Sequence, residues 1–151
     1  MILKKNVVDI LFSEAFKNTD KLDAFARFCH AYDHAQETSG RFPTEDQICA
    51  IAAMIEPKRA QGYRVTPVYF TDLSMGMHHD LIPAAMESLI ESLPTINGIE
   101  QIDEVVKHFF VIHPFRDGNG RTAFILRTWL MGNWDYPERL PDYFGKDDVN
   151  G

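Results

Sequence analysis

The sequence predicts an all-α fold with one small β-hairpin. Two observations lead to this prediction: apolar residues recur at helical spacing in six segments, and only residues 62–72 are dense in β-branched and aromatic residues. The chain of 151 residues has the usual size of one domain, and an apolar content of 45% can supply its core. We therefore expect residues 1–151 to form a single helical domain.

The first three helices are predicted from apolar stripes and from residues typical of helix ends. Asp20 is placed to cap the second helix, which is expected to end near the segment ETSG at residues 37–40. Thr44 and Gln47 form a capping-box pattern before the third helix, and Pro57 ends it. The three stripes are Val7, Val8, Leu11, Phe12 and Ala15; then Leu22, Phe25, Ala26, Cys29 and Tyr32; then Ile48, Ile51, Ala52 and Ile55.

Residues 62–72, GYRVTPVYFTD, are the one strand-like stretch of the chain. The Thr66-Pro67 pair predicts a corner, which would make the stretch a hairpin. A hairpin alone is only marginally stable, so it should pack on the helices. An irregular loop is the alternative. Tyr63 and Arg64 are consistent with a ligand-facing wall or with packing of this hairpin.

Three further helices follow. Pro83 suits the first turn of the fourth helix, and Pro94 is expected to stop it. The sixth stripe is apolar on nearly every side except at Arg127, so this helix should be central and buried. The polar tail at residues 145–151 is expected to fray. The stripes are Ile82, Met86, Leu89, Ile90 and Leu93; then Ile99, Ile102, Val105, Val106, Phe109 and Ile112; then Ala123 to Leu126 with Trp129, Leu130 and Met131.

Charge and composition exclude several classes of protein. The net charge of −7 argues against nucleic acid as a partner, although a local basic pocket for a phosphate remains compatible with it. Asp9 interrupts the short apolar run near the start, and no stretch is long enough to span a membrane. Cys29 and Cys49 suggest no disulfide framework. We expect a cytoplasmic protein, with secretion by a route without a cleaved signal left open.

The segment HPFRDGNGRT, residues 113–122, places many polar groups between two apolar helices. Pro114 disfavours helical geometry at His113, so the preceding helix should end there. Gly118 and Gly120 permit tight turning, and the next helix should begin near Asn119. The free N–H groups of a helix start form an anion site, to which Arg121 adds donors suited to phosphate oxygens.

Asp117 and His113 complete this chemistry. Mg²⁺ is typically held by one or two carboxylates together with substrate phosphates, which suits Asp117. Near neutral pH, His113 can take the proton of an attacking hydroxyl. Each residue alone would more often be structural, but the combination indicates phosphoryl or nucleotidyl transfer.

Residues 113–121 resemble the Fic family signature, H-P-F-x-D/E-G-N-G-R, at every specified position. The resemblance covers a core of about residues 44–137, with the N-terminal helices of residues 1–40 as an extension. It implies a helical Fic-type bundle with a hairpin flap. It further implies a protein adenylyltransferase that moves AMP from Mg²⁺-bound ATP to a Ser, Thr or Tyr hydroxyl of a target protein.

The resemblance also implies roles for individual residues. His113 corresponds to the catalytic base and Asp117 to the Mg²⁺ ligand. Gly118, Asn119, Gly120 and Arg121 correspond to the loop that binds the nucleotide phosphates. The hairpin corresponds to the flap, which binds the target as an added strand. Its candidate residues are Val65, Thr66, Val68 and Tyr69.

Two features depart from the family pattern. Many AMP-transferring members carry a second arginine three residues after Arg121, where this chain has Phe124, and Arg127 is not expected to reach the same phosphate. The inhibitory motif, a Ser or Thr followed four residues later by Glu and then Gly or Asn, has no match. Its nearest counterpart is Thr19 with Asp23, followed by Ala24. Self-inhibition by the usual route is therefore not expected, whereas a separate inhibitory protein remains open.

These departures leave two alternatives to AMP transfer. One is the same fold transferring a phosphate or another phosphate-containing group. The other is a nucleotide-binding interaction module that lacks turnover.

Overall fold

A computed structural model describes residues 3–17, 21–70, 72 and 74–144, and within them the fold is all-α as predicted. Two short 3₁₀ turns, His79–Leu81 and Leu93–Thr95, flank the fourth helix. No β-strand occurs in the described part of the chain. The six helices are α1 (Lys5–Ala15), α2 (Leu22–Thr38), α3 (Glu45–Ile55), α4 (Ile82–Ser92), α5 (Ile99–Ile112) and α6 (Asn119–Met131).

Helix α6 forms the centre of the bundle, which confirms the prediction from its sequence. Every residue of α6 from Asn119 to Trp129 is buried. The helix packs against α1, α2, α3 and α5. Phe124 packs edge-to-face on Phe28 of α2, with ring centroids 5.7 Å apart, and lies 6.2 Å from the Tyr32 ring. The loop that opens α6 therefore rests on the most buried helix of the fold.

The helix ends agree with most of the sequence signals. Thr44 and Gln47 form the full capping box, because each side chain accepts a hydrogen bond from the other residue's backbone N–H, at 3.1 and 2.9 Å. Helix α3 ends at Ile55, and Glu56 is its C-cap. Pro83 lies in the first turn of α4. Pro94 belongs to the 3₁₀ turn that follows α4. Asp20 and the tail at 145–151 lie outside the described residues.

The hairpin is reduced to an isolated antiparallel bridge between Tyr69 and Met75. Its two arms are joined by hydrogen bonds from Phe70 N to Ser74 O (2.9 Å) and from Gly76 N to Val68 O (2.8 Å). The chain therefore reverses between Phe70 and Ser74, and Thr66-Pro67 precedes the first arm, so the predicted corner is displaced. Asp72 explains the shift, because its Oδ1 accepts from the Ser74 N–H (2.9 Å), as in an Asx turn. We call residues 68–76 the hairpin below.

The segment after α6 packs back onto α1. Glu14, almost fully buried, accepts hydrogen bonds from Leu140 N (2.9 Å) and Arg139 Nε (3.4 Å). Cys29 and Cys49 are half-buried free thiols. In the described residues, none of the helices combines the length and the apolar character needed to cross a bilayer.

Candidate active site

His113 lies at the C-terminus of α5, in a backbone conformation that residues other than glycine rarely adopt. Its φ is 49° and its ψ is 62°, the left-handed region, which costs roughly 1–3 kcal/mol for a residue other than glycine. The residue is 2% exposed, and its Nδ1 is buried without a hydrogen-bond partner. The Phe70 ring of the hairpin packs edge-on against the imidazole, with centroids 5.4 Å apart. The hairpin thus covers the candidate base.

The surroundings of His113 keep its imidazole neutral. Burial is the main reason that its pKa falls from 6.5 to about 4, and the positive charge of Arg64 lowers it further. The Phe110 backbone and the Asp117 carboxylate oppose this shift to a lesser extent. A neutral imidazole at pH 7 can accept a proton.

The loop between α5 and α6 is held by side chain to backbone hydrogen bonds. Asn119 Oδ1 accepts from Phe115 N (3.0 Å), and Asn119 Nδ2 donates to Phe115 O (2.8 Å). The Asn119 side chain therefore braces the loop, which leaves its backbone as the part available to an anion. The ring of Phe115 is fully buried in the core.

The two glycines of the loop serve different purposes. Gly118, at φ 79°, caps α6, and this conformation favours glycine; a Cβ there would also lie close to Glu56 Cγ, at 3.2 Å. Gly120 lies within the first turn of α6 and has no positive φ. The expectation of tight turning at Gly120 is thus wrong, because the chain is already helical there.

Arg121 offers donors to an anion at the start of α6. The residue is 3% exposed, and its Nε and Nη1 are buried without hydrogen-bond partners. Its Nη2 donates to Glu56 Oε1 at 2.9 Å and lies 3.6 Å from Asp117 Oδ1. Unpartnered buried donors are costly, and phosphate oxygens would satisfy them. The first-turn N–H groups of α6 and its dipole favour the same ligand.

A pocket of about 510 Å³ opens beside Arg121, between the start of α2, the end of α3 and the start of α6. This volume is within the usual range for small-molecule sites. Its charged lining is mainly basic, although acidic groups are present, so the pocket suits a multiply charged anion. The charged residues are Lys21, Arg27, Lys58, Arg59 and Arg121, with Asp23, Glu56 and Asp117.

Asp117 lies at the edge of this pocket with part of its carboxylate exposed. Its Oδ1 accepts from Gly118 N (2.8 Å), and its Oδ2 is 3.4 Å from Arg59 Nη1. One carboxylate is too few to hold Mg²⁺ by protein alone, but it suffices when phosphates supply further oxygens. The donor chemistry therefore fits a magnesium ion that arrives with a polyphosphate.

The candidate flap residues differ in their exposure. Val65 and Tyr69 are 77% and 63% exposed, and Thr66 is also exposed. Val68 is half-buried, since its Cγ1 lies against Gly76. Phe70 is the hairpin residue that contacts His113.

Two residues close to the site, Glu56 and Phe70, carry no prediction from the sequence, whereas Arg64 was predicted either to face a ligand or to pack the hairpin. Glu56 carries no motif and is brought to Arg121 by the end of α3. Arg64 is buried behind the hairpin, not on a pocket wall, and Tyr63 donates to Glu45 Oε2 (2.6 Å). Only the density of aromatic residues in 62–72 could have drawn attention to Phe70.

The missing second arginine has no replacement on α6. Phe124 lies in the aromatic core with Phe28. Arg127 donates to Asp103 Oδ1 (2.8 Å) and Glu138 Oε1 (3.2 Å) and does not line the pocket. Any further cation for a phosphate must therefore come from the walls formed by α2 and the end of α3.

Glu56→Gln is expected to raise the affinity for inorganic tripolyphosphate about tenfold, which corresponds to about 1.4 kcal/mol. The Glu56 carboxylate occupies one Arg121 donor, and the neutral amide would compete less with phosphate. Isothermal titration calorimetry measures the affinity. Glu45→Gln, which changes a carboxylate bonded to Tyr63 outside the pocket, is the control. Equal affinities in the two variants would contradict competition by Glu56.

Known proteins share the fold described above. The model of the Fic/DOC family matches residues 42–131. A Fic family protein from Desulfovibrio desulfuricans G20 superimposes with a TM-score of 0.69 at 16% identity, covering 85% of this chain and 47% of that one. Fic-1 from C. elegans gives a TM-score of 0.64 at 24% identity, covering 78% and 38%. At these identities the similarity shows the fold alone, and this chain spans less than half the length of either structure. No curated protein matches the sequence significantly.

Proposed function

Since this chain belongs to the Fic/DOC family, we propose that it is a Fic-type transferase that moves AMP from ATP to a Ser, Thr or Tyr hydroxyl of a target protein. The main support is a neutral, buried His113 at the end of α5, followed within eight residues by Asp117 and Arg121, which line a basic pocket and of which Arg121 has free donors. In this reaction the hydroxyl oxygen attacks the α-phosphorus, and the bond from that phosphorus to the pyrophosphate oxygen breaks. The hydroxyl proton passes to the imidazole, and pyrophosphate leaves.

The phosphates are assigned to the start of α6. The Arg121 guanidinium and the first-turn N–H groups would stabilise negative charge that develops on the phosphate oxygens. Lys21, Arg27, Lys58 and Arg59 on the pocket walls supply further positive charge for a triphosphate. They are the candidates for the contacts that the family's second arginine makes elsewhere.

Asp117 would hold the Mg²⁺ that accompanies the nucleotide, and Glu56, which pairs with the same Arg121 Nη2, is a further carboxylate on the pocket wall. When bound, the metal would neutralise phosphate charge and orient the polyphosphate. The ion pairs that Asp117 makes with Arg59 and Arg121 would then be exchanged for the metal.

The hairpin offers an edge for a target segment. Phe70 N–H and Val68 C=O point toward the second arm, so the N–H and C=O of Tyr69 point to the open side. An extended target segment can pair there as an added strand, through main-chain hydrogen bonds that demand little of its sequence. The exposed Val65, Thr66 and Tyr69 and the half-buried Val68 would then contact the target.

Regulation and location are further parts of the proposal. Thr19 lies outside the described residues, so the nearest counterpart of the inhibitory motif has no structural account here. Since these 151 residues carry no matching motif, inhibition of the usual kind would have to come from outside them, and a separate partner protein is one candidate. A cytoplasmic location accords with the two free cysteines. Neither nucleic acid nor a membrane is proposed as a partner.

Transfer from labelled ATP tests the proposal. The protein is incubated with a cell lysate and Mg²⁺, with the label on the α-phosphate in one reaction and on the γ-phosphate in another. Label on protein from the α-phosphate alone, lost when Mg²⁺ is chelated, is the expected result. Label from the γ-phosphate alone would show a phosphotransferase instead, an alternative that is open because Phe124 stands in place of the family's second arginine. No label from either reaction would contradict transfer from ATP.

A further inference from the structure

Arg64 is a buried arginine whose side chain donates only to backbone carbonyls. Its residue exposure is 3%. Nε donates to His113 O (2.6 Å) and Nη1 to Thr66 O (2.9 Å). Nη2 donates to both Met77 O (2.6 Å) and Ile112 O (3.2 Å). Within the described ranges, no carboxylate forms an ion pair with this guanidinium.

The four acceptors belong to two parts of the site. Thr66 and Met77 flank the hairpin, one before its first arm and one after its second. Ile112 and His113 are at the end of α5, where carbonyls lack intrahelical donors and carry partial negative charge. The backbone N–H of Arg64 also donates to Pro114 O at 2.8 Å. One residue therefore joins both ends of the hairpin to the segment that bears His113.

We propose that Arg64 is a positioning residue for transfer, one that holds His113 and both ends of the hairpin in a single fixed arrangement. The proposal rests on the proposed function only for the role of His113 as the base. In it, Arg64 determines where a hydroxyl presented by a hairpin-bound target meets the imidazole.

The geometry explains why an arginine is used here. A guanidinium presents five donors in a planar fork, and four hydrogen bonds are formed in this position. A lysine would carry the same charge but could not present donors in this planar arrangement. The left-handed backbone of His113 needs such restraint, because a strained residue persists only where its surroundings fix it. The contact of Phe70 with the imidazole also depends on the hairpin keeping its place.

The charge of Arg64 has a second effect on the same site. It adds to the larger effect of burial in lowering the pKa of His113. The other groups that act on the imidazole are Asp117 and the Phe110 backbone, which both raise its pKa, and the uncharged Phe70 ring. Loss of the positive charge should therefore let the pKa rise toward its ordinary value.

Two Arg64 variants and one matched control test the proposal. Arg64→Lys keeps the charge and removes the fork, whereas Arg64→Met removes both. Arg127→Lys is the control, since Arg127 is also buried but pairs with Asp103 and Glu138 away from the hairpin. Amide hydrogen exchange of Phe70 and Gly76, the two hairpin donors, is measured by NMR on the free protein.

Arg64→Lys is expected to speed exchange at Phe70 and Gly76 at least tenfold, with no comparable change in Arg127→Lys. The kcat of Arg64→Lys should fall at least tenfold, while its KM for ATP stays within twofold of the wild-type value. In Arg64→Met the His113 ring should titrate at a higher pH than in Arg64→Lys.

Unchanged hairpin exchange in Arg64→Lys, or the same change in Arg127→Lys, would overturn the proposal. The lysine variant decides this point even if Arg64→Met fails to fold. Exchange needs neither nucleotide nor turnover. A wild-type protein without transfer would therefore refute the proposed function separately from the positioning role.

Discussion

His113→Ala is expected to lower the rate of transfer by roughly 10²–10⁴-fold, the contribution typical of a general base. The affinity for nucleotide should change little, because the groups assigned to the phosphates lie on α6 and around the pocket. Transfer of label and nucleotide binding are measured on the same preparation. His108→Ala, on the exposed side of the same helix, is the control.

The same variant should change the pH dependence of stability. The folded-state pKa of His113 is about 4, below its ordinary 6.5, so the unfolded chain binds more protons in that interval. This residue's contribution to stability is complete above about pH 6.5 and is lost as the pH falls toward 4. The loss is on the order of 3 kcal/mol, at 1.36 kcal/mol per pKa unit.

Denaturant unfolding between pH 4 and 7 measures this contribution. The wild-type free energy of unfolding should fall more steeply with decreasing pH than that of His113→Ala. Identical slopes would mean that the imidazole is not buried in its neutral form. Transfer that persists at the wild-type rate in His113→Ala would remove the residue from the mechanism.

Phe124→Arg is expected to destabilise the protein by roughly 3–5 kcal/mol, although it restores an arginine that the family often has at this position. Position 124 is fully buried and packed on the rings of Phe28 and Tyr32. A guanidinium there would be a buried charge without a partner. Urea titration monitored by circular dichroism gives the free energy of unfolding.

Phe124→Leu separates the effect of charge from that of lost ring contacts. This change removes volume but adds no polar group, so it should cost roughly 1–3 kcal/mol. If Phe124→Arg were as stable as the wild type and bound ATP more tightly, the guanidinium would reach the pocket. Our assignment of the terminal phosphate to the pocket walls would then be wrong.

The local signals in the sequence were enough to predict the helices. A capping box and a first-turn proline each depend only on residues close in sequence. The structure shows both as predicted, at Thr44–Gln47 and at Pro83. The hairpin turn was misplaced, because the Asp72 side chain competes with a Thr-Pro corner and decides where the chain reverses. That competition depends on two hydrogen bonds from Ser74 to Asp72 Oδ1, which composition does not reveal.

The candidate site, like the fold, could be predicted from the sequence only where it depends on residues close together in the chain. His113, Asp117 and Arg121 lie within nine residues, so their proximity could be predicted from a contiguous motif. Glu56 and Arg64 are separated from the motif by about fifty residues or more, and only the packing of α3 and the hairpin brings them to it. Neither residue is part of a recognisable motif. A single acidic or basic residue in a sequence is usually a solvated surface charge, so the sequence did not indicate these contacts.

The burial of α6 has a consequence for how this protein can evolve. The helix that opens with the anion-binding loop has no exposed side between Asn119 and Trp129, so most substitutions in it would cost stability. The pocket walls at Arg27, Lys58 and Arg59 are partly exposed, and substitutions there should change the free energy of unfolding little. Selection for a different phosphate donor would therefore act first on those walls and leave the central helix unchanged.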